Sequence, residues 1–302
     1  MNKLLTFSFI GGDLRQLKVI SLLASEGYRV RIFGFDDKKP DEAENIEISK
    51  SFSQCVSGAD VVVFPLPYSQ VGGEYLNAPL SEMQIETDEV VSAMTKNTIL
   101  FAGKADSYLT ELCRASNIEI IDYAEREELL IMNAIPTAEG AIEIAMANTP
   151  FTINDSRCLV IGYGRIGKIL SASLKGLGAN VTASARKHRD LAWIDANGLK
   201  CTTTANVKDI VSEYDIIFNT VPYKVLDFKA LSKTKPDVLI VDLASRPGGV
   251  DFEVARRLSR KVIWALSLPG KTAPDTAGKI IKNTLINIIC TQFLRLLALL
   301  MI

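Results

Sequence analysis

The stretch Cys158-Leu-Val-Ile-Gly-Tyr-Gly-Arg-Ile-Gly-Lys-Ile-Leu170 decides the fold of this chain. An apolar run ends at Ile161, glycines follow at positions 162, 164 and 167, and an apolar pattern with helical spacing then resumes. This order predicts a strand, a tight turn and a helix, with a further strand beginning at Asn180. In that context the glycines indicate a dinucleotide-binding turn. The alternative is a glycine turn in a parallel sheet that binds no ligand.

Each glycine of the turn has a separate predicted task. Gly162 permits the tight turn, Gly164 lets a pyrophosphate approach the backbone, and Gly167 lets the helix pack closely on the strand. The helix that follows presents free N–H groups and the positive end of its dipole to the phosphates. The predicted cofactor-binding residues of this turn are Gly162, Tyr163, Gly164, Arg165, Ile166 and Gly167.

The end of the second strand indicates which cofactor is preferred. A site that prefers NAD carries Asp or Glu there, to bind the ribose hydroxyls. Here the sequence reads Ala183-Ser-Ala-Arg-Lys-His-Arg189, with no acid before Asp190. We therefore expect NADP, its 2′-phosphate held by Arg186 and Lys187 with Ser184 as a hydroxyl donor, while NAD stays possible. The alternative is a solvated basic turn.

Composition restricts the classes of function. The net charge is -1 and 48% of the 302 residues are hydrophobic, so no basic field exists to bind nucleic acid or an anionic membrane. The five cysteines are scattered without a CxxC pair, which is typical of a reduced cytoplasmic protein. His188 is the only histidine, so we expect no metal site and no mechanism that needs two histidines.

Short apolar runs alternate with helical patterns along the whole chain, which predicts the α/β class. We expect two Rossmann-like doubly wound parallel-sheet domains with a cleft between them. The predicted parts are an N-terminal substrate-side domain over residues 1–136, a crossover helix over 137–150, an NADP-binding Rossmann domain over 151–273, and a C-terminal helix over 274–302 that returns to the first domain.

Predicted strands follow from the apolar runs. Those of the first domain are Leu5–Ile10, Tyr28–Gly34, Asp60–Phe64, Thr98–Ala102 and Ile118–Asp122. Those of the second are Cys158–Ile161, Val181–Ser184, Leu199–Thr202, Asp215–Asn219, Val238–Asp242 and Val262–Ala265. Asp13 is expected to cap the first helix, and Thr137 the crossover helix.

Two strand ends of the second domain, Asn219-Thr-Val-Pro222 and Asp242-Leu-Ala-Ser-Arg-Pro-Gly-Gly249, are predicted to face the nicotinamide. Thr220 and Pro222 are placed on the cofactor side. Arg246, among prolines and glycines, suits a bidentate clamp for a carboxylate, and a surface ion pair is the alternative. His188 lies in the predicted cofactor loop, so it is a poor general base. The predicted catalytic residues are Arg246, Asn219, Lys271 and Arg15.

Five segments in this order resemble the A subunits of bacterial dipicolinate synthase. They are Gly11-Gly-Asp-Leu-Arg-Gln16, Asn133-Ala-Ile-Pro-Thr-Ala-Glu-Gly140, Gly162-Tyr-Gly-Arg-Ile-Gly167, Asp242-Leu-Ala-Ser-Arg-Pro-Gly-Gly249 and Leu268-Pro-Gly-Lys-Thr-Ala-Pro274. The resemblance implies a cytoplasmic two-subunit enzyme of sporulating bacteria. Such an enzyme oxidises a dihydrodipicolinate-type cyclic dicarboxylate from lysine biosynthesis to pyridine-2,6-dicarboxylate (dipicolinate) with NADP+. It further implies that a flavoprotein-like B subunit completes the enzyme and that the protein is oligomeric.

Two other functions stay open at this point. One is another NADP-dependent two-domain dehydrogenase of a small carboxylic acid, and the other is a cofactor-binding protein without turnover of its own. The apolar segment Leu285–Ile302 is interrupted by Asn287, Gln292 and Arg295, which favours a buried or interface helix over a membrane span.

Overall fold

The protein forms two compact units in the computed structural model, which describes residues 5–38, 40, 43–70 and 72–300, with side chains up to residue 291. One unit consists of Met1–Leu130 and Ala273–Ile302, and the other of Ile131–Thr272. We call them the first and the second unit. Each is built on a parallel sheet with helices on its faces, as the sequence predicts for the fold class.

The first unit contains a six-stranded sheet in the order β3-β2-β1-β4-β5-β6. Its strands are β1 (Thr6–Ile10), β2 (Arg29–Phe33), β3 (Ile46–Ile48), β4 (Val61–Val63), β5 (Ile99–Ala102) and β6 (Glu119–Asp122). The central strands β1 and β4 are fully buried, which explains their continuous apolar sequences. The sequence does not predict β3, because this short edge strand is largely exposed and has no apolar run of its own.

The helices of the first unit that precede the crossover are α1 (Leu14–Ser25), α2 (Phe52–Val56), α3 (Thr87–Ser92) and α4 (Ser107–Ala115). Helix α1 begins where the sequence predicts, because Asp13 caps it. The Asp13 carboxylate accepts the N–H of Arg15 at 2.9 Å, and Gln16 Oε1 accepts the N–H of Asp13 at 3.3 Å. This capping box satisfies N–H groups that the first turn leaves without helical partners.

The second unit contains a six-stranded sheet in the order β12-β11-β10-β7-β8-β9, a doubly wound arrangement. Its strands are β7 (Arg157–Ile161), β8 (Asn180–Ala185), β9 (Lys200–Thr203), β10 (Ile216–Asn219), β11 (Leu239–Asp242) and β12 (Lys261–Trp264). The helices from the crossover onward are α5 (Glu127–Asn148), α6 (Arg165–Gly176), α7 (His188–Ala196), α8 (Val207–Ile210), α9 (Phe228–Leu231), α10 (Phe252–Arg257), α11 (Leu268–Thr272) and α12 (Pro274–Leu300). The strand order reverses between β7 and β10, and ligands bind such sheets at this point.

Helix α5 begins earlier than the sequence predicts. The expected start at residue 137 relied on Thr137 as a cap, but the helix runs from Glu127 and continues through Pro136. The Thr137 hydroxyl donates to the carbonyl of Asn133 at 2.7 Å, so it bonds within the helix instead of capping it. The division between the two units falls between Leu130 and Ile131, inside α5 and ahead of the predicted boundary.

Two long helices pack by their apolar faces. Among the described residues, α5 alone is long and apolar enough to cross a membrane, but its residues Ala138, Ala141 and Ala145 are fully buried in the core of the second unit. Helix α12 packs Ile281 and Leu285 into the core of the first unit. The prediction that the apolar end from residue 292 onward is buried concerns side chains outside the described part of the chain.

The α12 packing leads to a stability prediction. Leu285 is fully buried, so Leu285→Ala should lower the free energy of unfolding by about 2–5 kcal/mol, through lost burial and the cavity left behind. Urea denaturation measures this change. Asn283→Ala, at an exposed position of the same helix, should change it by less than about 0.5 kcal/mol. Equal midpoints for the two variants would show that α12 does not stabilise the first unit.

Candidate active site

The glycine turn joins β7 to α6 at the carboxyl edge of the second sheet. Gly162 has φ +98°, and a Cβ there would lie 2.4 Å from Thr220 Oγ1. Its N–H donates to the carbonyl of Ser184 on β8 at 3.1 Å. The left-handed backbone and the close neighbour both require glycine, so the turn is fixed against β8 and the residue that follows β10.

Gly164 and Gly167 complete the predicted phosphate cradle. Gly164 is the N-cap of α6 without a side-chain cap, and no atom lies within 4 Å of where its Cβ would be. A Cβ on Gly167 would lie 2.1 Å from the carbonyl oxygen of Gly162, so only glycine lets the helix pack on the turn. The result is an open space in front of a helix N-terminus, which suits a pyrophosphate.

The other residues of the turn offer mainly backbone to a ligand. Tyr163 is buried, and this burial raises the pKa of its hydroxyl. Ile166 packs against the core of the second unit. Arg165 is exposed at the first position of α6. We therefore expect the predicted cofactor contacts of Tyr163 and Ile166 to involve mainly their backbone.

Two cations follow β8, where an NAD-preferring site carries a carboxylate. Arg186 and Lys187 are exposed, and neither side chain has a hydrogen bond or ion pair within the described part of the chain. The next acid, Asp190, is 3.4 Å from Nε of Arg189. The structure thus leaves two positive charges accessible at the predicted 2′-phosphate position.

Ser184, predicted as a hydroxyl donor to the 2′-phosphate, lies near the end of β8. Its side chain is fully buried, and its Oγ has no hydrogen-bond partner among the described residues. Its neighbours Ala183 and Ala185 belong to the core on one face of the sheet, so strand alternation directs Ser184 to the other face. Its hydroxyl is not accessible in this structure, so the contact with the 2′-phosphate stays a prediction.

A buried carboxylate organises the ends of β10 and β11. Asp242 is fully buried, and its Oδ1 accepts Nδ2–H of Asn219 at 2.8 Å and the N–H of Ala244 at 3.1 Å. Its Oδ2 accepts the N–H of Gly249 at 2.8 Å. A buried charge is tolerated only when donors surround it, so these bonds fix both ends of the loop between Ala244 and Gly249.

Asn219 is part of this network and does not face solvent. Its Nδ2 also donates to the carbonyl of Val221 at 3.0 Å, and its Oδ1 accepts the N–H of Val221 at 3.2 Å. A Cβ on Gly249 would lie 2.1 Å from Asn219 Nδ2, so the loop closes directly over the amide. Asn219 thus holds the loop in this structure, and its predicted catalytic role stays a prediction.

Thr220 and Pro222 follow Asn219 toward the cofactor turn. The Thr220 hydroxyl donates to the carbonyl of Ile161 at 2.9 Å, which ties the end of β10 to the end of β7. Pro222 is exposed. A Cβ on Gly162 would lie 2.8 Å from Val221 Cγ2, and one on Gly249 would lie 2.5 Å from the Val221 carbonyl. Val221 thus contacts both the cofactor turn and the Asp242 loop, and it sets their spacing.

Arg246 lies at the exposed tip of the loop that Asp242 holds. The peptide bond between Arg246 and Pro247 is cis, and Trp264 Nε1 donates to the carbonyl of Ala244 at 2.9 Å. Within the described residues, the Arg246 guanidinium has no hydrogen bond or ion pair, so the ordinary ion pair considered as an alternative is not formed there. A planar cation on a loop held at both ends can bind a carboxylate through two parallel hydrogen bonds.

The two other predicted cations differ in availability. Arg15 is buried in the first unit, and its Nε lies 3.0 Å from each carboxylate oxygen of Asp13. Its Nη2 donates to Asp13 Oδ2 at 2.7 Å and to the carbonyl of Leu66. These bonds argue against the predicted role of Arg15 as a substrate clamp. Lys271 is exposed in α11 and forms no salt bridge within the described residues.

Other sources of acid–base or nucleophilic chemistry are few. His188 is exposed in the first turn of α7, within the cofactor loop. Burial raises the pKa of the Cys158 thiol to about 11 and that of the Cys55 thiol to about 12, so both stay protonated at neutral pH. No group of three metal-ligating side chains occurs among the described residues. The accessible cations Arg186, Lys187 and Arg246 suit the binding of anionic groups.

Comparisons with known proteins identify the family of this chain. Residues 6–124 match the family described as the N-terminal domain of the dipicolinate synthase A subunit. The chain is 33% identical over 290 residues to the dipicolinate synthase A subunit of Bacillus subtilis strain 168, and the alignment covers 93% of this chain and 94% of that protein. The chain belongs to the family of dipicolinate synthase A subunits.

Solved structures of this family have the same fold. The dipicolinate synthase A subunit of Bacillus halodurans superposes with a TM-score of 0.87 at 28% identity, covering 94% of this chain and 97% of that one. Its counterpart from Bacillus subtilis gives a TM-score of 0.85 at 32% identity, covering 96% and 97%. A transhydrogenase from Sinorhizobium meliloti, at 16% identity and a TM-score of 0.72 over 95% and 94% of the chains, shares the fold alone.

The second unit of this family member also matches a broader class. Residues 137–263 match the NAD binding domain of D-isomer specific 2-hydroxyacid dehydrogenases. The glycine turn lies at its predicted place within these residues, between β7 and α6. The match and the turn together identify the second unit as a nicotinamide-dinucleotide domain of the dehydrogenase type.

The turn geometry predicts the effect of one methyl group on cofactor binding. Gly167→Ala would place a carbon 2.1 Å from the Gly162 carbonyl, so the turn must shift. Overpacking of this kind costs about 1–3 kcal/mol, and we expect the dinucleotide Kd to rise about tenfold or more. Calorimetric titration with NADPH measures it. Gly176→Ala, at the open end of the same helix, should bind as wild type does. Equal affinity of the two variants would contradict the cradle.

Replacing one carboxylate oxygen of Asp242 by an amide nitrogen tests the role of this side chain. Asp242→Asn replaces one acceptor oxygen by an NH₂ group facing backbone donors, which should cost on the order of 1–3 kcal/mol of stability. Because the loop then loosens, turnover should fall while the cofactor Kd stays within about threefold. Asp237→Asn, exposed ahead of the same strand, is the matched control. Unchanged kinetics and melting temperature in Asp242→Asn would rule out the positioning role.

Proposed function

We propose that this chain is the nicotinamide-binding component of a dipicolinate synthase. It oxidises a dihydrodipicolinate-type cyclic dicarboxylate to pyridine-2,6-dicarboxylate with NADP+. The observation that carries the proposal is Arg246, an accessible guanidinium on a loop fixed by Asp242 and joined through Val221 to the glycine turn. Membership of the family of dipicolinate synthase A subunits supports the reaction.

The residues of the second unit suit NADP. The free N–H groups at the N-terminus of α6, in front of Gly164, can donate to the pyrophosphate, and Arg186 and Lys187 can donate to the 2′-phosphate. When bound, NADP+ supplies a hydride acceptor. Thr220 and Pro222, just after β10, are the residues proposed to lie on the nicotinamide side.

The substrate side needs orientation more than acid–base catalysis. A dihydropyridine dicarboxylate becomes aromatic when it loses a hydride to NADP+ and a proton to solvent, and a hydroxylated tetrahydropyridine dicarboxylate loses water as well, so the reaction is strongly favoured. The protein therefore has to hold the ring carboxylates at the correct position, which Arg246 does through its planar fork and Lys271 can assist. This oxidation does not require a histidine base that is oriented by a carboxylate.

Partner and location follow from the same proposal. The relatives are named as the A component of a synthase, which supports a second component, and we propose that this partner is the flavoprotein-like B subunit. We propose a cytoplasmic location, supported by the free thiols of Cys55, Cys113 and Cys158 in the buried cores.

Another 2-hydroxyacid dehydrogenase activity is the second candidate, favoured by the match of residues 137–263 to that NAD binding domain. Its expected histidine base is not supplied by His188, which lies in the cofactor loop at the start of α7. Turnover of simple 2-hydroxy acids by the isolated chain would support this candidate, whereas turnover of the cyclic dicarboxylate would support the synthase.

Replacement of Arg186 tests the proposed preference for NADP. Arg186→Ala should weaken NADP binding at least about tenfold and leave NAD binding within about twofold, because a charge-assisted phosphate bond contributes about 1.5–3 kcal/mol. Titrations with both cofactors measure the two dissociation constants. Arg189→Ala, which removes a neighbouring exposed cation already paired with Asp190, is the control. Equal weakening for NADP and NAD in Arg186→Ala would exclude a 2′-phosphate contact.

The substrate clamp is tested in a reconstituted reaction. The chain is mixed with the proposed B subunit, NADP+ and freshly generated dihydrodipicolinate precursor, and NADPH and pyridine-dicarboxylate absorbance are followed together. Wild type should form both products in equal amounts. Arg246→Lys keeps the charge but loses the fork, so turnover should fall at least about tenfold while NADP still binds.

Three outcomes of this reaction are informative. Full activity of Arg246→Lys would remove Arg246 from the site. Absence of product from wild type with its proposed partner would overturn the proposed reaction. Product formed by the partner without this chain would identify the chain as a cofactor-binding protein without turnover.

A further inference from the structure

Two grooves lie on either side of α6 on the surface of the second unit. The lysine groove, between α6 and α7, has a volume of about 640 Å³ and is lined by Lys168, Ala172, Lys175, Gly176 and Trp193, among others. The glutamate groove, between α5 and α6, has a volume of about 730 Å³ and includes Glu139, Glu143, Met146, Gly176 and Leu177. Gly176 lines both grooves, so they form one continuous surface.

Each groove carries charge of one sign. The lining of the glutamate groove contains Glu139 and Glu143 and no basic residue, and that of the lysine groove contains Lys168 and Lys175 and no acidic one. Within the described residues, neither glutamate has an ion pair. Lys168 Nζ lies 5.9 Å from the ring centre of Tyr163, and Lys175 Nζ donates only to backbone carbonyls, at 2.8 and 3.2 Å. The surface therefore separates unneutralised positive and negative charges.

Large apolar side chains are exposed beside these charges. Trp193 is 60% exposed, Met146 51% and Leu177 41%. Apolar and aromatic groups that are exposed together within grooves with charged rims mark protein-binding surfaces, and Trp is enriched among residues that dominate binding energy. The ridge between the grooves carries the small residues Ala172 and Gly176, which permit close approach of a second helix.

We propose that this surface binds a second copy of the chain, with α6 of each copy lying against the grooves of the other around a twofold axis. In a twofold contact the same patch meets itself, so residue i of one copy meets residue j of the other, and j meets i. With the twofold axis running along α6, the lysine groove of one copy faces the glutamate groove of its partner. One chain already carries both halves of the required charge complementarity, which favours self-association over an unlike partner.

The steric test uses Ala172→Arg, a large substitution at an exposed helical position where both residues favour helix. Light scattering after size exclusion should give twice the mass of one chain for wild type and the mass of one chain for the variant. Unchanged circular dichroism and NADPH affinity show that the variant is folded. This result does not depend on the proposed reaction, since no substrate is used.

The electrostatic test uses charge reversal. Lys168→Glu and Glu143→Lys should each raise the dimer dissociation constant about tenfold or more in sedimentation experiments, and the double variant should recover to within about threefold of wild type. Glu111→Lys, at an exposed position of α4 in the first unit, should have no effect.

Three results would overturn the proposal. One is a monomeric wild type across the concentration range, and another is a dimer that Ala172→Arg leaves intact. The third is a set of single reversals that leave self-association unchanged but abolish binding to the proposed B component of the synthase, which would assign the surface to an unlike partner.

Discussion

The buried carboxylate of Asp242 is the interaction on which the candidate site depends. A charge with no exposed surface is stable only if donors satisfy it, and here the amide of Asn219 and the backbone N–H groups of Ala244 and Gly249 do so. Those donors lie at the end of β10 and at both ends of the loop that follows β11. One side chain therefore fixes the position of Arg246 relative to the strand ends through the loop backbone.

The glycine turn is the second constraint, and it is linked to the first. Gly162 and Gly249 both lie close to Val221, so the cofactor turn and the Arg246 loop share a spacer. This explains why the residues of the site come from segments far apart in the chain. The parallel order of β7, β10 and β11 brings their carboxyl ends together. The short loops at this edge can differ in sequence and in what they bind while the sheet stays unchanged.

The sequence was most informative where one residue type is required by geometry. The tasks of Gly162 and Gly167 could be predicted because a Cβ at either position meets a neighbour at 2.4 Å or less. The strands were predictable because sheets buried on both faces need continuous apolar runs. The short strand β3 has no such run, and the start of α5 was predicted too late because tertiary packing carries that helix through Pro136.

Side-chain partners were the least predictable part of the site. Arg15 and Ser184 are predicted to contact ligands, and in this structure Arg15 is hydrogen-bonded to Asp13 and Ser184 is fully buried. The hydrogen-bond partners of Arg15 and the side of the sheet that Ser184 faces do not follow from the local sequence, since both depend on how distant segments pack. Asp242 was missed as an organising residue, although a single acid at the end of the apolar run Leu239–Asp242 is a usable signal of a buried, satisfied carboxylate.

The most direct measurement is a crystal structure of the chain with NADP+ and pyridine-2,6-dicarboxylate bound. We predict the pyrophosphate in front of Gly164, the 2′-phosphate against Arg186, and a ring carboxylate within hydrogen-bond distance of both terminal nitrogens of Arg246, with the Asp242 bonds intact. A dicarboxylate bound by other groups, with Arg246 directed into solvent, would contradict the proposed clamp.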